Sequence, residues 1–252
     1  MIIEVRDLKK SFDGHRVLDG VSFSIAKGQA VAIIGVSGGG KSILLKHLIG
    51  LITPDSGEIH IAGENIAGMD ERQLLKVRRK FGMLFQGAAL FDSLNVEDNV
   101  GFLLAREGQT EPAEISRRVA EVLDMVGLDG TQEKMPSELS GGMRKRVGLA
   151  RAVVYRPEIV LYDEPTTGLD PIASDAIDQL IRRVVEKLNV TSIAVTHDMR
   201  SVRRISRRIL MLHQGRIYAD QTPDEIFSST DPVIHRFVNG IADPLEPSRI
   251  YE

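Results

Sequence analysis

The glycine-rich segment 35–42 constrains the fold of this chain more than any other part of the sequence. It reads Gly-Val-Ser-Gly-Gly-Gly-Lys-Ser and fits the pattern G-x-x-x-x-G-K-[ST]. The apolar run 30–34 precedes it and a helical pattern follows to about Gly50, so the segment is predicted to join a strand to a helix. Its glycines let backbone N–H groups face phosphate oxygens, and the helix N-terminus favours an anion. We therefore expect Lys41 to reach the β- and γ-phosphates of a nucleotide and the Ser42 hydroxyl to coordinate Mg²⁺.

The rest of the chain alternates strand-like and helical patterns, which predicts an α/β fold with a mainly parallel sheet. Short apolar runs in the first third indicate an N-terminal antiparallel β subdomain, and segment 87–156 reads as an inserted α-helical subdomain. The expected organisation is one domain over residues 1–240, with a P-loop NTPase core formed by 1–86 and 157–230. Residues 241–252 are expected to form a C-terminal extension.

Composition excludes several kinds of function. The net charge is −3 and the chain has no cysteine, so disulfides, cysteine-ligated zinc and a thiol nucleophile are ruled out. No apolar run approaches the roughly 20 residues that a membrane-spanning helix needs, and the N-terminus does not resemble a signal peptide. The arginines between 200 and 208 are not interleaved with aromatic residues, so we expect no nucleic-acid partner. A solvated basic face is the first interpretation of that cluster, and contact with an acidic partner or anionic lipid headgroups is the second.

Two carboxylates follow the apolar run 159–162, which is predicted to be a buried strand. Acidic residues at the exit of such a strand lie at the carboxyl edge of a parallel sheet, where ligands bind. Asp163 is suited to orient Mg²⁺ or its bound water, and Glu164 is placed to polarise an attacking water as a general base. Without the phosphate loop, the alternative interpretation of these residues would be two solvated acids at the start of a loop.

The run Leu-Ser-Gly-Gly-Met at 139–143 gives the chain its family resemblance. It resembles the Leu-Ser-Gly-Gly-Gln signature of ATP-binding-cassette (ABC) ATPases at four of five positions and departs from it at Met143. In that family the signature caps the ATP held by a second copy of the chain, so the resemblance implies a homodimer that encloses two ATP molecules. Ser140 and the glycine backbone remain, and we therefore expect hydrolysis to survive the missing amide.

The resemblance assigns roles to further residues. Phe12 matches the aromatic residue that stacks on adenine, and Gln86 matches the loop glutamine that contacts Mg²⁺ or the water. His197 matches the histidine that senses the γ-phosphate, and Asp170 matches the loop that crosses the dimer. The implied catalytic residues are Glu164, His197 and Gln86, and the implied metal-binding residues are Ser42, Gln86 and Asp163. The implied nucleotide-binding residues are Phe12, Gly35, Ser37, Gly38, Gly39, Gly40, Lys41, Ser42, Ile43, Ser140, Gly141, Gly142 and Asp170.

Three segments resemble the Mla and Mkl group within this family: 86–96, 140–143 and 236–240. That likeness implies an ATPase that energises a separate membrane permease for phospholipid transport linked to outer-membrane lipid asymmetry. The implied partners are an integral membrane permease, an MCE-domain substrate-binding protein and a small STAS-domain protein. The implied location is peripheral, on the cytoplasmic face of the inner membrane.

Two alternatives stay open at this point. The chain could instead serve an importer of amino acids or other small solutes, or act as a free-standing ABC ATPase with no membrane partner. An apolar groove expected near residues 88–94 favours a membrane partner, because a free-standing ATPase has no need of one. The C-terminal extension is expected to pack on the partner cassette through Ile250 or Tyr251.

Overall fold

A computed structural model describes residues 1–242 of the chain, so the expected anchors Ile250 and Tyr251 lie outside the described part. The strands are β1 Ile3–Phe12, β2 His15–Ile25, β3 Ala30–Ile34, β4 Ser56–Ile61, β5 Glu64–Asn65, β6 Phe81–Leu84, β7 Ile159–Asp163, β8 Thr191–Val195, β9 Arg208–His213 and β10 Arg216–Gln221. The helices are α1 Lys41–Leu48, α2 Glu71–Arg78, α3 Val96–Glu107, α4 Pro112–Met125, α5 Gly141–Val153, α6 Pro171–Leu188, α7 Met199–Ile205, α8 Pro223–Phe227 and α9 Pro232–Asn239. A short 3₁₀ helix spans Pro136–Glu138.

The chain divides into two compact units. Within the described residues, the first comprises Met1–Arg78 together with residues 195–242, and the second comprises Arg79–Ala194. The predicted helical subdomain 87–156 falls within the second unit, and its own boundaries stay a prediction.

The first unit contains an antiparallel sheet with the strand order β2-β1-β4-β5. A hairpin joins β1 to β2, and Ile3 lies opposite Ile25 on one side and Ile61 on the other. The same unit holds β3, whose five residues are all buried, as is usual for a strand covered on both faces. β3 runs parallel to β9, and β9 turns back into β10. The phosphate loop follows β3 directly.

The second unit builds its sheet from β6 and β7, which pair in parallel, with β8 on the other side of β7. Parallel pairs in both units, together with the antiparallel N-terminal sheet, confirm the predicted α/β class. Helices α3, α4 and α5 pack against one another in this unit. Val119, Val122 and Leu123 of α4 recur at helical spacing and are buried, so they form the inward face of this helix.

Four helices were not predicted, although two of them carry recognisable end signals. The Asn95 side chain accepts a hydrogen bond from the Asp98 amide at the start of α3, and Gly108 ends that helix in the left-handed region. Asp231 caps α9 in the same way, and Gly240 ends it. Such residues are typical of helix ends. The other two, α2 and α7, are no longer than eight residues. No helix within residues 1–242 is long and apolar enough to cross a bilayer.

The side chain of Asn99 organises the loop that leads into α3. Asn99 is completely buried, and its Oδ1 accepts a hydrogen bond from the Phe91 amide at 2.8 Å. Its Nδ2 lies within 3.0 Å of the carbonyl oxygens of Phe91, Leu94 and Asn95. One amide side chain therefore binds both ends of the loop.

The backbone of β6 passes close to α5 at Gly82. A Cβ at this position would lie 2.0 Å from the carbonyl oxygen of Ala152 in α5. Gly82→Ala is therefore expected to lower the free energy of unfolding by about 2 kcal/mol or more, because the strand and the helix must separate. The measurement is urea unfolding followed by circular dichroism. Gly68→Ala is the control, since a Cβ there meets nothing within 4 Å, and equal losses in the two variants would contradict the argument.

Candidate functional site

Two glycines define the path of the phosphate loop in the first unit. Gly35 follows β3 at φ 150°, and a Cβ on it would lie 2.3 Å from the carbonyl oxygen of Leu212. Gly40 sits at the N-cap of α1 with φ 93°, a left-handed conformation that side chains disfavour. No side chain forms a capping hydrogen bond at Gly40, and a helix start of this kind is suited to bind an anion. This geometry fits a phosphate group.

Lys41 lies at the first position of α1 with only 7% of its surface exposed. Its Nζ donates hydrogen bonds to the carbonyl oxygens of Gly35 at 2.9 Å and Val36 at 2.8 Å. The ammonium therefore lies against the phosphate loop itself. Ser42, the next residue, is exposed.

Two more predicted residues belong to the first unit. Phe12 ends β1 with 41% of its surface exposed, and the Lys10 ammonium lies 5.4 Å from its ring centroid. An exposed ring at the end of a strand is free to stack on a planar base. His197 is exposed after β8, just before Asp198, whose carboxylate caps α7. These residues stay predictions as nucleotide contacts.

The two predicted carboxylates lie at the end of β7 in the second unit, and both are half-buried. Glu164 adopts a left-handed backbone conformation with φ 49°, which is uncommon for a residue with a side chain. Its Oε2 accepts a hydrogen bond from the Thr167 hydroxyl at 3.1 Å. The carboxylate is thus oriented by its own loop, as a general base requires.

The signature segment and the predicted dimer-crossing loop come together in the second unit. Ser140 is the N-cap of α5, and its Oγ accepts a hydrogen bond from the Met143 amide at 3.3 Å. Ser140, Gly141, Gly142 and Asp170 line one concave surface, together with Met143, Arg146, Gly168, Leu169, Ala173 and Ile177. The first turn of α5 contains no acidic residue, so this helix start is suited to bind an anion.

Asp170 itself is the N-cap of α6. Its Oδ1 accepts hydrogen bonds from the amides of Ile172 at 2.9 Å and Ala173 at 3.0 Å. The Ala173 and Ile172 amides hold the pKa of the Asp170 carboxyl below its usual value. This carboxylate is ionised at neutral pH and fixes the start of the helix.

Gln86 is exposed, directly after Phe85 at the end of β6. Its main-chain carbonyl accepts a hydrogen bond from the ammonium of Lys145, which also donates to the carbonyl of Glu164 at 3.3 Å. One buried lysine thus joins the main chains of two predicted catalytic residues. The sequence motifs did not predict a role for Lys145 or for Thr167.

The predicted metal-binding residues have the chemistry that Mg²⁺ prefers. Ser42, Gln86 and Asp163 offer a hydroxyl, an amide and a carboxylate oxygen, and Mg²⁺ is usually held by few protein oxygens together with substrate phosphates. Within residues 1–242, no cluster of three or more His, Cys, Asp or Glu side chains could hold a metal ion. Hydroxyl, amide and carboxylate oxygens are each donor types that suit a Mg²⁺ ion shared with substrate phosphates.

The sequence pattern of the family described as ABC transporter matches residues 18–167 of the chain. This chain belongs to that family. The ABC cassette hydrolyses ATP, and hydrolysis is coupled to transport. Cassettes of this family form dimers and work with membrane permeases.

Three curated relatives extend the comparison. The protein TRIGALACTOSYLDIACYLGLYCEROL 3, chloroplastic, of Arabidopsis thaliana is 43% identical over 96% of this chain and 75% of its own length. The intermembrane phospholipid transport system ATP-binding protein MlaF of Escherichia coli K12 is 38% identical over 98% of this chain and 92% of its own length. The methionine import ATP-binding protein MetN of Carboxydothermus hydrogenoformans is also 38% identical, over 99% of this chain and 75% of its own length.

Solved structures agree with the fold. The ATP-binding cassette MJ0796, solved as a dimer in a post-hydrolysis state with ADP and Pi, has a TM-score of 0.80 and 31% identity. It covers 88% of this chain and 98% of its own. The structure of cbiO1 from Clostridium perfringens, part of the complex cbiONQ, has a TM-score of 0.84 with 94% of each chain covered.

The cassette's phosphate loop generates a prediction about ATP affinity. Lys41→Met removes the ammonium and is expected to weaken ATP binding about 10- to 100-fold, the range expected for one charge-assisted hydrogen bond. Titration with a fluorescent ATP analogue measures the dissociation constant. Lys46→Met removes an exposed charge from the same helix and serves as the control. Equal affinities for wild type and Lys41→Met would contradict the placement of the phosphates.

Proposed function

We propose that this cassette energises lipid transport, most specifically the transport of phospholipid by a separate integral membrane permease. The likeness to MlaF supports this proposal, because it extends over 98% of this chain and 92% of a relative named for phospholipid transport. The Arabidopsis relative bears the name of a glycolipid and is 43% identical. The proposed cargo is thus an amphipathic lipid rather than a small polar solute.

We propose that ATP binds with its phosphates on the amides of the phosphate loop and on Lys41. Phe12 stacks on the adenine in this proposal, and His197 contacts the γ-phosphate. When Mg²⁺ is bound through Ser42, Gln86 and Asp163, it offsets the negative charge of the phosphates. The exposed ring of Phe12 and the uncapped start of α1 support this assignment.

Glu164 is the proposed general base. Its carboxylate accepts a proton from water as the water oxygen attacks the γ-phosphorus, and the bond to ADP breaks. The hydrogen bond from Thr167 orients Oε2 for this step. The half-buried setting limits the solvent that competes for the carboxylate.

We propose that a second copy of the chain completes each site. The concave surface around Ser140 and Gly142 would receive the γ-phosphate of the ATP bound to the other copy, and Asp170 would lie beside the same boundary. The closed dimer then forms only when ATP is present, because the nucleotide supplies contacts to both copies. Closing and reopening would drive the permease.

The remaining partners follow from the proposed cargo. A lipid permease, an MCE-domain protein and a small STAS-domain protein are the partners that we propose, with the cassette held peripherally at the cytoplasmic face of the membrane. A methionine importer's ATPase, MetN, is as similar to this chain in identity as MlaF is. A small-solute importer is therefore the second candidate function.

The role of Glu164 is testable by one substitution. Glu164→Gln keeps the shape of the side chain but removes the base, so ATP turnover is expected to fall at least about 100-fold. ATP binding persists, and size-exclusion chromatography with ATP is expected to show a trapped dimer. Glu186→Gln, at an exposed helix position, is the control. Near-normal turnover in the Glu164 variant would refute the assignment.

The cargo is tested by isolating the cassette from its native membranes in mild detergent and identifying the proteins and lipids that accompany it by mass spectrometry. A multi-span permease with an MCE-domain protein and phospholipid is the expected result. A permease recovered with a solute-binding protein would replace lipid by a small solute. Recovery of no membrane protein would favour a free-standing ATPase.

A further inference from the structure

Lys145 is a buried cation in the second unit, with 5% of its surface exposed. It lies on α5 and donates hydrogen bonds to two main-chain carbonyl oxygens, those of Gln86 and Glu164. Gln86 is the second residue after β6 and Glu164 is the first residue after β7, and the two are distant in sequence. The lysine therefore joins the ends of two neighbouring strands to one helix.

The surroundings of Lys145 affect the charge of its amine in opposite directions. Burial lowers the pKa of its amine, whereas the carboxylates of Glu164 and Asp163 raise it. A buried ammonium is costly unless it is hydrogen-bonded and compensated by opposite charge. Two carbonyl oxygens and two carboxylates supply that compensation here, so the charge is held beside the proposed base.

The backbone that Lys145 contacts is unusual. Glu164 has φ 49°, and Ala88 and Ala89, just after Gln86, have φ 61° and 48°. Residues with side chains persist in this region only where surrounding contacts hold them. Lys145 therefore contacts the main chain at a place where surrounding contacts are needed to hold the backbone in this conformation.

The same face of α5 holds the residues that follow Gln86. Gly148 and Arg151 lie three and six positions after Lys145, a spacing that keeps them on one side of the helix. A Cβ at Gly148 would lie 2.8 Å from Leu84 Cδ1, so the strand end packs directly on the helix backbone. Arg151 donates to the carbonyls of Ala88 at 2.6 Å and Ala89 at 2.7 Å.

We propose that Lys145 is a positioning residue for ATP hydrolysis, which ties the main chains of Gln86 and Glu164 to the helix that begins at Ser140. The inference rests on the proposed roles of those three residues. Any displacement of α5 that follows from nucleotide contact at Ser140 is passed to the Gln86 loop and to the base together. Without the ammonium, the base and the loop lose their shared support, while the phosphate loop of the first unit keeps its own contacts.

The test uses steady-state ATPase kinetics of the full chain. Lys145→Met keeps the length of the side chain and removes its donors, and it is expected to lower kcat at least 10-fold while the KM for ATP changes less than threefold. Lys145→Arg restores a buried cationic donor, and its kcat is expected to exceed that of the Met variant at least threefold. A purely structural role would not separate kcat from KM or respond to the restored charge.

Arg78→Met is the matched control. Arg78 also donates to two main-chain carbonyls, those of Ile49 and Gly50, but it lies in the first unit and belongs to none of the proposed machinery. Its kcat is expected to stay within twofold of wild type. If Lys145→Met proves too unstable to assay, Lys145→Gln is measured against the same limits, because its amide remains polar at the buried position.

The outcomes separate this inference from the proposed function. A kcat for Lys145→Met within threefold of wild type would overturn the inference, as would a loss matched by Arg78→Met or an absence of recovery in Lys145→Arg. Glu164→Gln is assayed in parallel. An inactive Glu164→Gln beside an active Lys145→Met refutes only the role of Lys145, whereas an active Glu164→Gln refutes the proposed role of Glu164 as the general base.

Discussion

At Gly35 the backbone of the phosphate loop passes so close to Leu212 that a side chain there would overlap the Leu212 carbonyl oxygen. This contact places the end of β3 against β9 and directs the loop toward the start of α1, where Gly40 leaves the first N–H groups without a side-chain cap. Main-chain atoms therefore form the proposed anion-binding surface. The side chains around them, Lys41 first among them, add charge to a shape that the glycines already provide.

Main-chain atoms are equally important in the second unit, but there they are carbonyl oxygens that accept hydrogen bonds rather than N–H groups that donate them. There, two cationic side chains of α5 donate to carbonyl oxygens of the loops after β6 and β7. Placing cations in the interior is costly, and the cost is offset only while those carbonyls stay in place. Left-handed alanines and a left-handed glutamate are stable in this unit because the cations bind their main chain. The helix that presents the signature segment is thus also the support of the proposed catalytic loops.

Local patterns in the sequence predicted much of this arrangement. The strand before the phosphate loop, the helix after it and the buried strand before Asp163 all depend on neighbours within a few residues, which a pattern records. The contacts of Lys145 and Arg151 were not predicted, because their partners lie far away in the sequence. A basic run after a helix start is also typical of a solvated face. Helices α3 and α9 were missed although Asn95 and Asp231 mark their starts, and α9 has only eight residues, which is short for a periodic pattern to be recognised.

The loop held by Asn99 has a thermodynamic consequence for any chain that docks on it. Ordering a flexible loop upon association costs conformational entropy, which is subtracted from the affinity of the complex. Here that conformational entropy is already lost during folding, because the buried amide of Asn99 binds both ends of the loop. Phe91 is exposed on this loop, so a partner that contacted it would have to order little further backbone.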